Sequence, residues 1–130
     1  MSAKTNYLED AVINHVLRNT AYTSPTTVYV GLFTADPTDT GSLVNEVSGG
    51  SYARQSVAFD APSPNGETQN SSLIAFPTAT AGWGTVSHWG ILDAVSSGNM
   101  LYHGAFDASK VVASGDDVEI AAGELEINET

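Results

Sequence analysis

Cysteine is absent from the chain, which excludes disulfides and thiolate metal centres and leaves the redox compartment unread. Basic residues are almost as scarce. Lys4, Arg18, Arg54 and Lys110 stand against fifteen acidic residues, for a formal net charge of −11. Phosphate backbones are held by clustered lysine and arginine, and four scattered cations make no such patch, so nucleic acid is not an expected partner. Long apolar runs are missing as well. No stretch reaches the length of a membrane span, and residues 1–20 carry Glu9 and Asp10 where a secretory signal has its apolar centre. The expectation is a protein made in the cytoplasm with no membrane partner.

What is present points to a packed fold. Hydrophobic residues make up 42% of the chain and recur in regular alternation, which argues against the disorder that strong acidity otherwise suggests. At 130 residues the chain reads as a single domain, 1–130, long enough to bury roughly two thirds of its unfolded surface. The acidity itself fits solubility at high copy number or a saline environment.

Residues 6–20 read as the one helix, capped by Asn6 with Glu9 reaching back. Leu8, Val12, Ile13, Val16 and Leu17 fall on one broad side, to be buried against a sheet or a partner subunit. From residue 27 to 127 the pattern is that of strands and turns. TVYVGLF at 27–33 is apolar on both faces and reads as an inner strand. A long acidic loop follows at 34–51, anchored only by Leu43, Val44 and Val47. Its Asp36-x-x-Asp39-x-Gly41 spacing has some of the oxygens a calcium ion wants, but the alternating acidic ladder of a calcium loop is missing, so an ordinary turn is the reading.

The densest apolar segment is 73–106, which holds both tryptophans and two of the three histidines. It reads as three strands, with 85–93 and 100–106 paired as a hairpin about the Ser96-Ser97-Gly98-Asn99 turn. That register sets His103 opposite Ile91 and sends His88 and His103 to opposite faces. Trp83, flanked by glycines, is either a plug over an open end or a contact anchor. Arg54 makes a structural salt bridge or an interface contact. In ELEI at 124–127, Leu125 and Ile127 point inward beneath outward Glu124 and Glu126, as in a charged edge strand, and residues 128–130 fray unless a partner holds them. The fold class is therefore all-β, a jelly-roll-like antiparallel β-sandwich with one N-terminal α-helix.

Catalytic patterns are missing. Ser87 and His88 are strand neighbours whose side chains are expected on opposite faces, so Ser87, His88 and Asp93 do not read as a triad. No nucleophile elbow, phosphate loop or zinc motif occurs, and no residue is assigned to catalysis, to a cofactor or to a metal.

One resemblance covers nearly the whole chain, roughly residues 5–127. It lies in Tyr29-Val30-Gly31-Leu32-Phe33-Thr34-Ala35-Asp36-Pro37, then in Glu46-Val47-Ser48-Gly49-Gly50-Ser51-Tyr52-Ala53-Arg54-Gln55 and in Phe76-Pro77-Thr78-Ala79. It continues through Trp83-Gly84-Thr85-Val86-Ser87-His88-Trp89-Gly90-Ile91 and Leu101-Tyr102-His103-Gly104. In this order the chain resembles a family of small phage virion proteins that includes tail fibre proteins and head decoration, or cement, proteins. The resemblance implies a non-enzymatic structural protein of the virion, made in the host cytoplasm and without a small-molecule substrate. As a cement protein, the favoured expectation, it would sit on the capsid exterior as dimers or trimers and clamp neighbouring major capsid proteins. Candidate contact residues are Leu8, Val12 and Val16 on the helix, Leu43 and Val44 in the loop, and Arg54 and Trp83. As a tail fibre component it would instead be a lectin-like tip, with Trp83 and Tyr52 stacking on receptor sugars. A fibre shaft, repetitive or coiled, has no counterpart in this sequence.

Overall fold

Alternation in VYVGLF dictates a strand with two apolar faces, and the computed structural model, which describes residues 2–129, places it inside a sheet as β2 (Val28–Phe33). The other strands of that sheet are β1 (Ser2–Lys4), β3 (Gln55–Val57), β6 (Gly84–Leu92) and β7 (Met100–Val112). Their order is β1-β7-β6-β2-β3, every pair antiparallel. Two antiparallel ribbons form the opposing layer: β4 (Glu67–Gln69) with β9 (Glu126–Asn128), and β5 (Ile74–Ala75) with β8 (Glu119–Ile120). The only helix among the described residues is α1 (Asn6–Leu17). The expected all-β, sandwich-like arrangement with one N-terminal helix is what forms, with the second layer divided into two ribbons.

The main core lies between these layers. Val30, Leu32, Trp89 and Ile91 from the sheet meet Ile74, Phe76, Ile120, Leu125 and Ile127 from the ribbons and their flanks. Leu125 and Ile127 point inward and Glu124 and Glu126 outward, as their alternation requires. A second, smaller cluster of Phe33, Leu92 and Met100 sits on the other face of the sheet, with Leu43 packed on it from the loop 34–46. Gly31 and Gly90 pair directly across β2 and β6 and keep this second face low. A Cβ on Gly90 would stand 2.7 Å from Met100 Cε and 3.1 Å from Phe33 Cε1, so any larger residue there makes the Met100 side chain shift.

Several expectations are corrected. The helix cap is Thr5, whose Oγ1 accepts from the Leu8 amide at 3.4 Å and donates to the Met100 carbonyl at 2.6 Å. Asn6 instead lies inside the helix, its amide donating to the Asp39 carbonyl at 2.7 Å. The helix stops at Leu17 rather than at residue 20, because Asn19 turns into the left-handed region (φ 54°) and the Thr20 amide reaches back to the Asn14 carbonyl. Of the apolar side predicted to be covered, Leu8 is buried and Val12 half-buried, while Ile13, Val16 and Leu17 are open to solvent.

The hairpin register also differs. A bulge between Ile91 and Leu92 sets His103 opposite Gly90, and His88 lies opposite Ala105. Because residues two apart share a face, the two imidazoles lie on the same side of the sheet. A second irregularity, where residues 106–109 of β7 oppose the single step at Ser87, explains why 110–112 continue β7 instead of forming a strand of their own.

Asn128 and Glu129 do not fray, because they are tied inside the chain; Thr130 lies outside the described residues. The Asn128 amide donates to Ser2 Oγ and the Glu129 amide to the Gly66 carbonyl, both at 2.8 Å. The Glu129 carboxylate accepts from Lys4 Nζ and from the Tyr102 hydroxyl, each at 2.5 Å. Partial burial raises the pKa of this carboxyl, but the bonds from Lys4 and Tyr102 and the Lys4 charge outweigh it and leave the value below that of an ordinary glutamate. A carboxyl with a depressed folded value stabilises the fold fully above its unfolded pKa and loses that contribution as pH falls through the folded one. We therefore expect Glu129→Gln to melt at a lower temperature than the parent at neutral pH, with the gap closing below about pH 4. Thermal melts across a pH series check this, and a gap that stays constant into acid would refute it.

Candidate interaction surface

Arg54 follows directly on the turn-rich stretch that leads into β3, and it is buried with its charge answered from four directions. Nε and Nη2 donate to the two Glu46 oxygens at 2.7 Å each, and Nη1 donates to the Ala94 and Ser97 carbonyls at 2.8 Å each. The bond to Glu46 raises the guanidinium pKa against the burial that would lower it. Tyr52 completes the group, its hydroxyl donating to Glu46 Oε2 at 2.7 Å and accepting from the Leu32 amide at 3.0 Å. Burial first, and the Glu46 bond after it, push that hydroxyl far above the ordinary tyrosine value, so it remains a donor. These bonds join the loop 34–46, the start of β3 and the turn between β6 and β7.

Trp83 is also committed inside the fold. Its indole donates to the Gly50 carbonyl at 2.9 Å and meets Tyr52 edge-on at 5.5 Å, while Tyr52 stacks on Phe76 at 6.2 Å. Trp83 is buried as the plug reading has it and offers no free ring face, while Tyr52 is partly buried with one face stacked on Phe76. Leu8 and Arg54 are likewise buried within the chain. Leu43 is half-buried on the second cluster, and Val12 is half-buried along α1.

The remaining two contact candidates are open: Val16 is 67% exposed and Val44 86%. Beside Val16 on α1 lie Ile13 at 50% and Leu17 at 76%, so the helix presents an apolar triad outward with Leu8 on its inward side. The sequence put Ile13 and Leu17 in the apolar stripe but did not single them out as contacts. The signal was the width of the stripe, since five apolar residues over ten positions exceed what one core-facing side needs. Val95 and Val111 are further exposed aliphatics that no pattern marked.

The polar groups considered for chemistry are arranged as follows. Asp39 Oδ1 meets His103 Nε2 at 2.9 Å, Asp36 Oδ1 lies 3.8 Å from His103 Nδ1 and accepts from the Thr38 amide, and the 36–41 segment is a turn held by these bonds. Ser87 Oγ lies 2.7 Å from His88 Nδ1, contrary to the expectation that the two side chains diverge. The irregular pairing between Val86 and His88 breaks the strict alternation and lets them meet. Asp93 is elsewhere, accepting from the Asn99 amide, so it does not orient this pair. Among the described residues no group of three histidine or acidic side chains is arranged to hold a metal.

Residues 3–128 match the family Gp80, described as podophage GP4 fiber I protein gp80. No curated protein matches the chain.

Arg54 and Glu46 give a direct test of how the surface loops are held. Removing one partner of a buried ion pair leaves the other charge uncompensated and costs about 3–5 kcal/mol, whereas replacing both by apolar groups of similar volume restores much of it. We expect Arg54→Met to lose stability on that scale and Arg54→Met with Glu46→Leu to recover most of the loss, as read by urea unfolding. A single-variant loss under about 1 kcal/mol would show that the pair is not what holds these loops.

Proposed function

Since the chain belongs to the Gp80 family of podophage fibre I proteins, a family of phage virion structural proteins, we propose that it is a globular fibre component that works through contacts between folded surfaces. The observation that supports this most is the outward apolar triad Ile13, Val16 and Leu17 on a helix whose inward side is already packed. Copies of the chain itself are the partners this face suits, as dimers or trimers, with Val44 as a separate projecting contact. Each fully buried aliphatic side chain contributes about 1.5–3 kcal/mol before ordering costs, so one such face is a weak contact. Repetition at fixed geometry raises the effective concentration of the next contact. The reading is non-enzymatic, and it involves no nucleic acid, membrane or small-molecule substrate.

Capsid decoration is the second reading, with copies outside the shell bridging neighbouring major capsid proteins. It is favoured by the tie between first and last strands: Ser2, Lys4, Asn128 and Glu129 close the fold on itself, which suits a tile-like unit. Quantitative mass spectrometry of purified particles separates the two, since shell-scale copy number means decoration and tail-scale copy number means fibre.

Both readings make the same demand of α1. Val16→Asp and Leu17→Asp change exposed positions, so their effect on folding stability stays within about 0.5 kcal/mol. We expect them to lower self-association in sedimentation velocity and occupancy on particles. With a charge of −11 per copy, association of the parent should strengthen as salt rises, because repulsion is screened beyond about 8 Å at physiological ionic strength. Occupancy that ignores both substitutions would remove the helix face from the account.

A further inference from the structure

Of the few cations in this acidic chain, two are answered by carboxylates inside the fold: Lys4 by Glu129 and Arg54 by Glu46. Lys110 donates to the Asp117 carbonyl. Arg18 stands exposed at the C-terminal end of α1, and among the described residues no carboxylate lies within ion-pair distance of it. Its Nη1 donates to Asn14 Oδ1 at 2.8 Å, so the side chain leans back along the helix. A guanidinium without a carboxylate, in a chain of net charge −11, therefore sits on the element that also carries the outward apolar triad.

Helical spacing puts these groups in order. Residues four apart form ridges along a helix. Glu9, Ile13 and Leu17 make one ridge, with Asp10, Asn14 and Arg18 beside it and Val16 on the other flank. The second ridge begins with an acid and ends with a base, about 12 Å apart along the axis. The chain after the helix turns back along this flank, where the Tyr22 amide donates to His15 Nδ1 at 3.2 Å. Tyr7, Asp10, Asn14 and Tyr22 there line a shallow groove of about 280 Å3. Tyr7 is exposed and Tyr22 half-buried, so aromatic surface lies beside the Asp10 carboxylate, and among the described residues no cation of the same chain lines the groove. A guanidinium suits it, because that planar group pairs with a carboxylate and packs on an aromatic ring.

A second copy supplies one. When two identical helices pack antiparallel about a two-fold axis, each flank meets the same flank of the other copy, and every contact between unlike positions is made twice. With the axis beside Asn14, Arg18 of each copy comes against Asp10 of the other, and Ile13, Val16 and Leu17 close over one another between the two ion pairs. The helix dipoles also oppose in this direction and repel in a parallel pairing. We infer that α1 is a two-fold seam between copies of the chain, in which Arg18 of each copy enters the groove between Tyr7 and Tyr22 of the other and pairs with Asp10. The inference rests on the reading of the α1 face as a self-contact and adds its geometry, which makes pairs and not trimers.

The test uses the full chain. Sedimentation equilibrium at millimolar concentration should show monomer and dimer with no trimer. Arg18→Glu and Asp10→Arg should each weaken dimerisation about tenfold, since each reversal acts at two symmetry-related sites, and the double variant should recover most of the loss. Both positions are exposed, so far-UV circular dichroism should match that of the parent. Because the chain has no cysteine, Asn14→Cys places one thiol per copy beside the axis. Mild oxidation should link these copies much faster than those of Val111→Cys, an exposed position on β7. The inference is overturned by trimers, by a double variant no better than the singles, by equal linking at 14 and 111, or by a parent that binds another virion protein through α1 and not itself. If Val16→Asp still lowers self-association in the first three cases, the α1 face stands and only the antiparallel seam falls. If neither Val16→Asp nor Arg18→Glu changes self-association, both fall.

Discussion

A guanidinium buried against the sheet of a small sandwich sets the terms for everything around it. Arg54 cannot be taken out of water without full compensation, so Glu46 and the Ala94 and Ser97 carbonyls must all be in place at once. Glu46 is at the end of an acidic loop with few apolar anchors, and the two carbonyls belong to the turn joining β6 to β7. One side chain thus makes the position of one loop conditional on that of another. Tyr52 extends the condition to the sheet, since its hydroxyl joins Glu46 to the Leu32 amide of β2. Trp83 joins this group through Tyr52, whose ring it meets edge-on, and is fixed by the Gly50 carbonyl.

Immobilising the loop 34–46 has a consequence on the second face of the sheet. Leu43 can cover Phe33, Leu92 and Met100 only while the loop stays where Glu46 holds it, and Asp39 then reaches both the Asn6 amide and His103. The start of α1 is therefore positioned by a chain of contacts that begins at Arg54. Beside β8 and β9 a second buried polar side chain, Asn70, donates to the Ser72 and Ala121 carbonyls and accepts from the Leu125 amide, and a cleft lined by Leu125 opens where residues 106–109 leave register.

The strands were legible where alternation was strict and a turn marked each end. VYVGLF, the 84–92 and 100–106 hairpin and ELEI all carry period-two patterns that only one face assignment satisfies. Register was not legible, because a bulge adds or drops one residue without changing local composition, and a one-residue slip reverses which side each histidine faces. For the same reason the meeting of Ser87 with His88 and the position of Phe106 left no mark in the sequence. The strand Ser2–Lys4 was hidden because three residues are too few for periodicity, and its existence depends on an edge of β7 supplied from a hundred residues away. Trp83 and Arg54 each carried two readings that composition could not separate. Contact partners decided both in favour of the interior, and the outward face fell to helix residues whose pattern looked like a core.

The size of that outward face and the charge of the chain bear on each other. Three aliphatic side chains over two turns of helix fall well short of the roughly 800 Å2 per partner that a stable specific interface buries. They also sit within the range of apolar patches that a monomer tolerates. With every copy carrying −11, a chance encounter between two free copies meets repulsion before it meets the triad. Such a face gains little from a single pairing and much from an array in which the next copy is already held at the right distance, because the ordering cost is then met once by the scaffold and not by each contact. Strong acidity and a small apolar patch therefore act in the same direction: each weakens the proposed pairing of two free copies and favours it where a scaffold presents several such contacts together.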